Sequence, residues 1–132
     1  MIDVENEVFD RIAKTLRSDF QGIAVKSTLD LSPSVFPCAC VEQINNLAYR
    51  KTRDTGSNEN HADVTFEVNV YSNAHNSKSE CKTIIAVVDD QFDRIGFTRT
   101  SCIPVKMDDG TKYRLRAAYR AVISKNHTVY RR

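Results

Sequence analysis

The sequence predicts an α+β domain in which two helices cover one face of a mixed sheet of four or five strands. Two segments repeat apolar residues at helical spacing, and several others alternate apolar and polar residues. These segments follow one another in the order helix, strand, strand, strand, helix, strand, strand. Two amphipathic helices can cover only one face of such a sheet. The second face is therefore expected to be polar and uncovered.

Length and composition favour a single domain spanning residues 1–132. The hydrophobic share of 41% and the charged share of 27% are ordinary for a globular protein. No apolar run approaches the ~18 residues of a membrane span. The first residues lack the basic and apolar regions of a signal peptide. We therefore expect no membrane association, and synthesis in a cytoplasm.

The first element is predicted to be a helix that starts near Asp3, a residue suited to the N-cap. Gly22 is suited to end it. A short strand at residues 23–26 follows, and then a loop at residues 27–37, whose prolines cannot donate to a strand ladder. The helical stripe recurs at every fourth position: Val4, Val8, Ile12, Leu16 and Phe20.

Two strands separated by a polar stretch are predicted next. Residues 38–41 are apolar on both faces, which is typical of an interior strand, and the strand continues to about Asn45. Residues 64–71 alternate apolar and polar side chains with a period of two. Residues 46–60 form the longest polar stretch, so we expect a hairpin with a long arm at about 46–60.

The second helix is predicted to begin at Ser77 and to end at Gly96. Ser77 and Glu80 have the spacing of a capping box in which Ser77 is the N-cap residue. The helical stripe comprises Cys81, Ile84, Ile85, Val88, Phe92 and Ile95. A strand interrupted by Pro104 follows, and Asp108 opens a turn that leads into the last strand.

The last predicted strand has one apolar and one basic face. Tyr113 and every second residue to Ile123 are apolar or aromatic, whereas the other face carries arginines. The last 22 residues contain seven Lys and Arg and no acidic residue, whereas the first 110 carry a net charge of −5. Such a division favours docking onto further copies of the chain or onto a polyanion. Residues 125–132 show no periodicity, so we expect a basic C-terminal tail with no core to join.

Three interpretations of Arg114, Arg116 and Arg120 follow from the sequence. They form ion pairs with Glu67 and Asp63 of a neighbouring strand, they contact another subunit, or they contact nucleic acid. No aromatic side chains alternate with them on the same face, unlike the stacking platforms that bind single-stranded nucleic acid.

The sequence shows no catalytic or cofactor-binding motif. Its four glycines are isolated, so none belongs to a phosphate-binding loop. The acidic residues Asp89, Asp90 and Asp93 have no histidine or lysine in a recognisable constellation. The four cysteines lack the spacing of zinc ligands and are interpreted as small core residues. We therefore expect no enzyme, no metal and no cofactor.

Four stretches of the chain carry a family resemblance: residues 1–6, the arm from Tyr49 through residue 62, residues 66–73, and the end from Tyr119 to Arg132. They resemble the small tail proteins of long-tailed bacteriophages and prophages. The similarity is greatest to the tail terminator or minor tail proteins of phages with Gram-positive hosts. It covers nearly the whole chain.

The resemblance implies a structural virion protein that forms a closed ring, typically a hexamer. Such a ring sits at the head-proximal end of the tail, ends polymerisation of the tail tube, and joins the tail to the neck. The implied partners are the tube protein below, neck or connector proteins above, and genomic DNA passing through the lumen without sequence-specific contacts. Assembly would occur in the host cytoplasm.

Two alternatives stay open. A head-closure or neck protein belongs to the same structural class, whereas a nucleic-acid-binding module using the basic C-terminal strand belongs to another. The candidate interface residues lie in the arm, the basic strand and the tail: Tyr49, Arg50, Lys51, Arg53, Arg114, Arg116, Arg120, Lys125, Tyr130, Arg131 and Arg132.

Overall fold

Helices and strands follow one another along the chain in the predicted order, which confirms the α+β fold. The computed structural model describes residues 1–48, 61–126 and 129–130. Its elements are α1 (Glu5–Asp19), β1 (Ala24–Lys26), β2 (Cys38–Ala48), β3 (His61–Ser72), α2 (Ser77–Arg94), β4 (Thr98–Val105), β5 (Tyr113–Ser124) and the two-residue β6 (Val129–Tyr130).

The strands form one mixed sheet in the order β1-β2-β3-β5-β4. β1 runs parallel to β2, and the other pairs are antiparallel. β6 pairs with Val122 and Ile123 of β5, beyond the end of β4 on the same edge. The two longest strands, β3 and β5, therefore lie at the centre of the sheet.

Both helices pack on one face of this sheet, as the apolar stripes predict. Leu16 of α1 and Val88 of α2 are fully buried in the main core. α1 packs over β1 and β2, whereas α2 packs over β3 and β5. At the centre, the rings of Phe92 and Tyr119 stack with centroids 4.2 Å apart. The ring centroids of Phe66 and Phe92 are 5.7 Å apart. These aromatic contacts join α2 to both central strands.

The helix termini differ in part from the prediction. Val4 is the N-cap residue of α1, and the Asp3 carboxylate accepts a hydrogen bond from the Glu5 N–H at 3.0 Å. The predicted capping box of α2 is wrong, because its serine already lies inside the first turn. The Glu80 carboxylate accepts a hydrogen bond from the buried Ser72 hydroxyl at 2.7 Å instead, which ties α2 to β3.

Part of the sheet face opposite the helices is covered, which corrects the expectation that this whole face is uncovered. The loop of residues 27–37 crosses one end of this face from β1 toward the β4–β5 turn. Phe36 from the loop and Met107 from the turn pack there on a small second core. The Lys112 ammonium lies 5.4 Å from the Phe36 ring centroid. This core consists of Cys38, Cys40 and Tyr71.

The predicted C-terminal tail also requires correction. Val129 packs against the main core, and β6 extends the sheet through its pairing with β5. No sequence pattern predicts this strand, because two residues are too few to show a period. β5 continues past the last residue that β4 pairs with, so its exposed edge is available to β6.

The first three residues of the arm predicted at 46–60 belong to a strand. β2 continues through Ala48, which pairs with Ala62 of β3, so residues 46–48 are strand. A register shift between Gln43 and Asn45 interrupts this hairpin. Residues 49–60 lie outside the described residues.

Two glycines with positive φ provide a test of how firmly β6 is docked. Gly22 and Gly96 have φ of 82° and 94°. A Cβ at Gly96 would lie 2.8 Å from the Val129 Cγ1 atom, whereas one at Gly22 would meet no atom within 4 Å. We expect Gly22→Ala to lower the free energy of unfolding by about 1–2 kcal/mol through backbone strain alone. Gly96→Ala should lower it by about 1–3 kcal/mol more through overpacking.

Urea unfolding followed by circular dichroism measures both values. The additional loss at Gly96 should shrink when Gly96→Ala is measured in a Val129→Ala background, because the crowding Cγ1 atom is then absent and only the Val129 Cβ contact at 3.3 Å remains. Equal losses for the two alanine variants would contradict the described position of Val129.

Candidate interaction surface

The part of the sheet opposite the helices that loop 27–37 leaves uncovered is called the open face below. Strand register aligns its side chains in rows, because directly paired residues point to the same side. One row contains Glu42, Glu67 and Ala118. The next row contains Asn69 and Arg116.

Arg120 is held by an ion pair within the chain. Its Nε atom donates to the Asp63 Oδ1 atom at 2.7 Å, and its Nη2 atom donates to Oδ2. The Asp63 side chain is only 13% exposed, compared with 43% for Arg120. This two-pronged contact is the geometry in which guanidinium binds carboxylate most firmly. For this arginine the structure confirms the predicted pairing with Asp63.

Arg114 is also engaged, but not with Glu67 directly. Its Nε atom donates to the Asn69 Oδ1 atom at 2.9 Å, and its guanidinium lies 5.3 Å from the Tyr71 ring centroid. Asn69 is buried, and its amide donates to the Glu67 carboxylate at 3.0 Å. The asparagine therefore connects the arginine to the glutamate that the sequence predicted as its partner.

Arg116 differs from the other two arginines. The residue is partly buried, and its guanidinium makes no hydrogen bond or ion pair with any residue in the ranges 1–48, 61–126 and 129–130. Its neighbours in the row are Asn69 on β3 and Ile103 on β4. Ile103 is 44% exposed although it is apolar. This row therefore presents a cation and an aliphatic side chain side by side.

Two carboxylates face each other on the other side of the open face. Glu42 of β2 lies directly opposite Glu67 of β3. Like charges in this position repel and destabilise the strand pair. Leu47, which is 56% exposed, lies further along β2 on the same face. The open face thus carries negative charge on β2 and β3 and positive charge on β5, with exposed apolar side chains at its margins.

The two edges of the sheet are poorly suited to pairing with another strand. β4 contains Pro104, which cannot donate a hydrogen bond, and its register shifts between Arg99 and Ser101. β1 has only three residues. Proline, irregularities and short length are the usual devices that protect sheet edges from further pairing. The open face is consequently better placed for contacts than either edge.

The structure brings Arg114, Arg116 and Arg120 together on the open face. Lys125 is exposed in the turn that follows β5, and the Tyr130 backbone belongs to β6.

Glu42 and Ile103 were absent from the predicted site. Counting every second residue from Cys40 along β2 could have assigned Glu42 to the open face. The remaining predicted interface residues lie outside the described residues: Tyr49, Arg50, Lys51, Arg53, Arg131 and Arg132.

Three of the four cysteines are buried and all four are free. Burial raises the pKa of the Cys81 thiol to about 12. The contact with the Cys40 thiol, together with burial, raises the pKa of Cys38. The prediction that the cysteines are core residues is wrong for Cys102, which is exposed on edge strand β4.

Neither described helix combines the length and hydropathy that a membrane-spanning helix requires. Within the described ranges, no three histidine, cysteine or acidic side chains are grouped so that they could hold a metal ion.

The fold resembles that of a solved virion chain. A chain from the structure described as the virion of a native gene transfer agent (GTA) particle matches with a TM-score of 0.60 and 15% identity. The match covers 88% of this chain and 93% of that chain. A second solved chain matches with a TM-score of 0.48 and 13% identity, over 84% and 92% of the two chains, which is too weak for an argument. No protein-family model and no curated protein matches the sequence. The comparison shows that this chain has the fold of a chain found in a virion particle.

Alanine substitution should show which of the three arginines stabilise the fold. Arg114→Ala and Arg120→Ala are each expected to lower the free energy of unfolding by about 1–3 kcal/mol, because each leaves a poorly solvated acceptor without its donor. Arg116→Ala should change it by no more than about 0.5 kcal/mol. Urea unfolding of the isolated chain measures all three. A loss at Arg116 as large as at Arg120 would show that Arg116 stabilises the fold.

Thiol reactivity should report the burial of the cysteines. In the folded protein we expect one fast-reacting thiol, Cys102, with an aromatic disulfide reagent at pH 8, and four after unfolding in guanidinium. Cys38, Cys40 and Cys81 should react slowly because they are buried and inaccessible to the reagent. The raised pKa of Cys38 and Cys81 also makes the reactive thiolate scarce at these two residues. The Cys102→Ser variant should show no fast phase. A remaining fast thiol in that variant would contradict the described packing.

Proposed function

We propose that this protein is a structural component of a phage-like virion, located in the tail. It forms a closed homo-oligomeric ring, a hexamer, at the head-proximal end of the tail tube. The observation that carries this proposal is the fold shared with a chain of a gene transfer agent virion along 88% of the present chain. The sequence resemblance to phage tail proteins points to the same class.

The surface described above supports assembly rather than chemistry. A ring needs two different contact surfaces on each copy, so that each contact repeats around the axis. The open face carries acidic side chains on β2 and β3 next to basic side chains on β5, which suits it to be one of these two surfaces. In this proposal the ring is not an enzyme and needs no metal or cofactor. It ends polymerisation of the tube and presents its other side to the neck or connector.

A head-closure or neck protein is the second candidate, because the likeness to a virion chain supports either position. In both positions the ring is assembled in the host cytoplasm, and DNA passes through its lumen without sequence-specific contacts.

A dedicated nucleic-acid-binding module is supported less well. Arg114 and Arg120 are engaged by neighbouring side chains, and the third arginine lies one row along the sheet from Glu67. A phosphate backbone would therefore meet few available cations and a nearby negative charge. Tight binding to polyanions needs several cations that are available to phosphates.

The proposal predicts closed rings of six copies in native mass spectrometry of the purified chain, and rings at one end of isolated tail tubes in electron micrographs. DNA binding at low salt should be weak, because few phosphate contacts are available. A chain that stays monomeric with and without tubes would contradict the proposal. Tight DNA binding that falls steeply with salt would favour the nucleic-acid module.

A truncation that tests the basic C-terminus should remove only Arg131 and Arg132. Removing residues 125–132 would also remove Val129 from the core, so a loss of assembly could not be separated from a loss of folding. The shorter truncation should retain the wild-type free energy of unfolding while weakening assembly or attachment to the neck. Unchanged rings and unchanged attachment would exclude a role for these two arginines.

A further inference from the structure

We propose that the open face is a contact surface between two copies of this chain, with Arg116 of one copy bound between Glu42 and Glu67 of the next. This inference rests on the self-assembly proposed above and names the residues that carry it. Three observations lead to it: an arginine without a partner, a pair of opposed carboxylates, and sheet edges that are protected from pairing with another strand.

Arg116 is positioned to bind a carboxylate from outside its own chain. It is partly buried between Asn69 and Ile103, and its guanidinium has no partner within the described ranges. Partial burial removes some of its water without providing a replacement acceptor. A carboxylate from a second copy would supply that acceptor, and guanidinium can bind it through two parallel hydrogen bonds.

Glu42 and Glu67 form the complementary half. Their direct opposition across β2 and β3 is unfavourable while no cation lies between them. The Asn69 amide orients the Glu67 carboxylate, and Arg114 in turn holds Asn69. One acceptor is thus pre-oriented before any partner arrives, which lowers the entropic cost of binding. A guanidinium from a second copy would relieve the repulsion.

The surroundings of these charges suit a protein partner. Ala118 lies in the same row as the two carboxylates, so its small side chain leaves space next to them. Ile103 and Leu47 are exposed apolar side chains on the same face. Protein interfaces combine such aliphatic area with a few oriented polar groups.

A second copy is the occupant that the charge pattern favours. A polyanion would be attracted by Arg116 and repelled by the two nearby glutamates. A copy of this chain carries both signs on the same face, so the basic side chains of one face can meet the acidic side chains of another. The protected edges of β1 and β4 leave this face as the available sheet surface.

Charge reversal in single chains and in their mixture tests the contact. We expect Arg116→Glu alone and Glu67→Arg alone to weaken self-association by at least about tenfold, because each places like charges in contact. An equimolar mixture of the two variants should recover association to within about threefold of wild type, since opposite charges meet again in alternating copies. Native mass spectrometry and sedimentation velocity of the full chain measure both effects.

Two control variants make the same charge changes on the exposed surface of α1: Lys14→Glu and Asp10→Arg. Both should associate like wild type, alone and mixed. Rescue by mixing separates a contact between chains from one within a chain, because an intrachain effect would persist in the mixture. If Glu67→Arg changes the unfolding curve, Glu42→Lys replaces it as the acidic-side variant.

The outcomes distinguish this inference from the proposed function. Rings that form as readily with either reversal as with the α1 controls would overturn the contact and leave the ring proposal standing. Rescue by mixing in dimers, without rings, would support the contact and overturn the ring. A wild-type chain that never self-associates would overturn both.

Discussion

This architecture depends on one constraint: two helices can cover only one face of the sheet. α1 packs over β1 and β2, α2 packs over β3 and β5, and the stacked rings of Phe92 and Tyr119 join the helix layer to the sheet. Every alternate residue of those strands must then point away from the helices. The second face consequently has to be stabilised by polar contacts, by a covering loop, or by a partner.

The chain uses all three solutions along this one face, in our interpretation. Loop 27–37 closes one end over a small core that includes Tyr71. Ion pairs and hydrogen bonds within the chain satisfy Arg120, Arg114 and Asn69 in the middle. Arg116 and the opposed glutamates are left to the proposed partner. A surface of this kind favours assembly, as the proposed function requires.

Elements were predicted correctly where the pattern of apolar residues extends over many positions. The stripes of α1 and α2 and the alternation of β3 and β5 extend over many residues, so their prediction was confirmed. Predictions failed where one or two residues decided the outcome. Glu80 bonds to Ser72 rather than capping its helix, Val129 joins the core, and Cys102 lies on an exposed edge. Each depends on a neighbour distant along the chain or on the position of a strand in the sheet.

The sequence by itself determined the elements, their order, and the basic character of one face of β5, because periodicity and turn residues act locally. Tertiary structure decided which charges meet. The pairing of Arg120 with Asp63 joins residues 57 positions apart, and the opposition of Glu42 and Glu67 depends on hairpin register. Register and strand order are set by packing of the whole sheet against the helices. For that reason the alternating arginines were visible in the sequence, while the difference between Arg116 and its two neighbours emerged only in the folded chain.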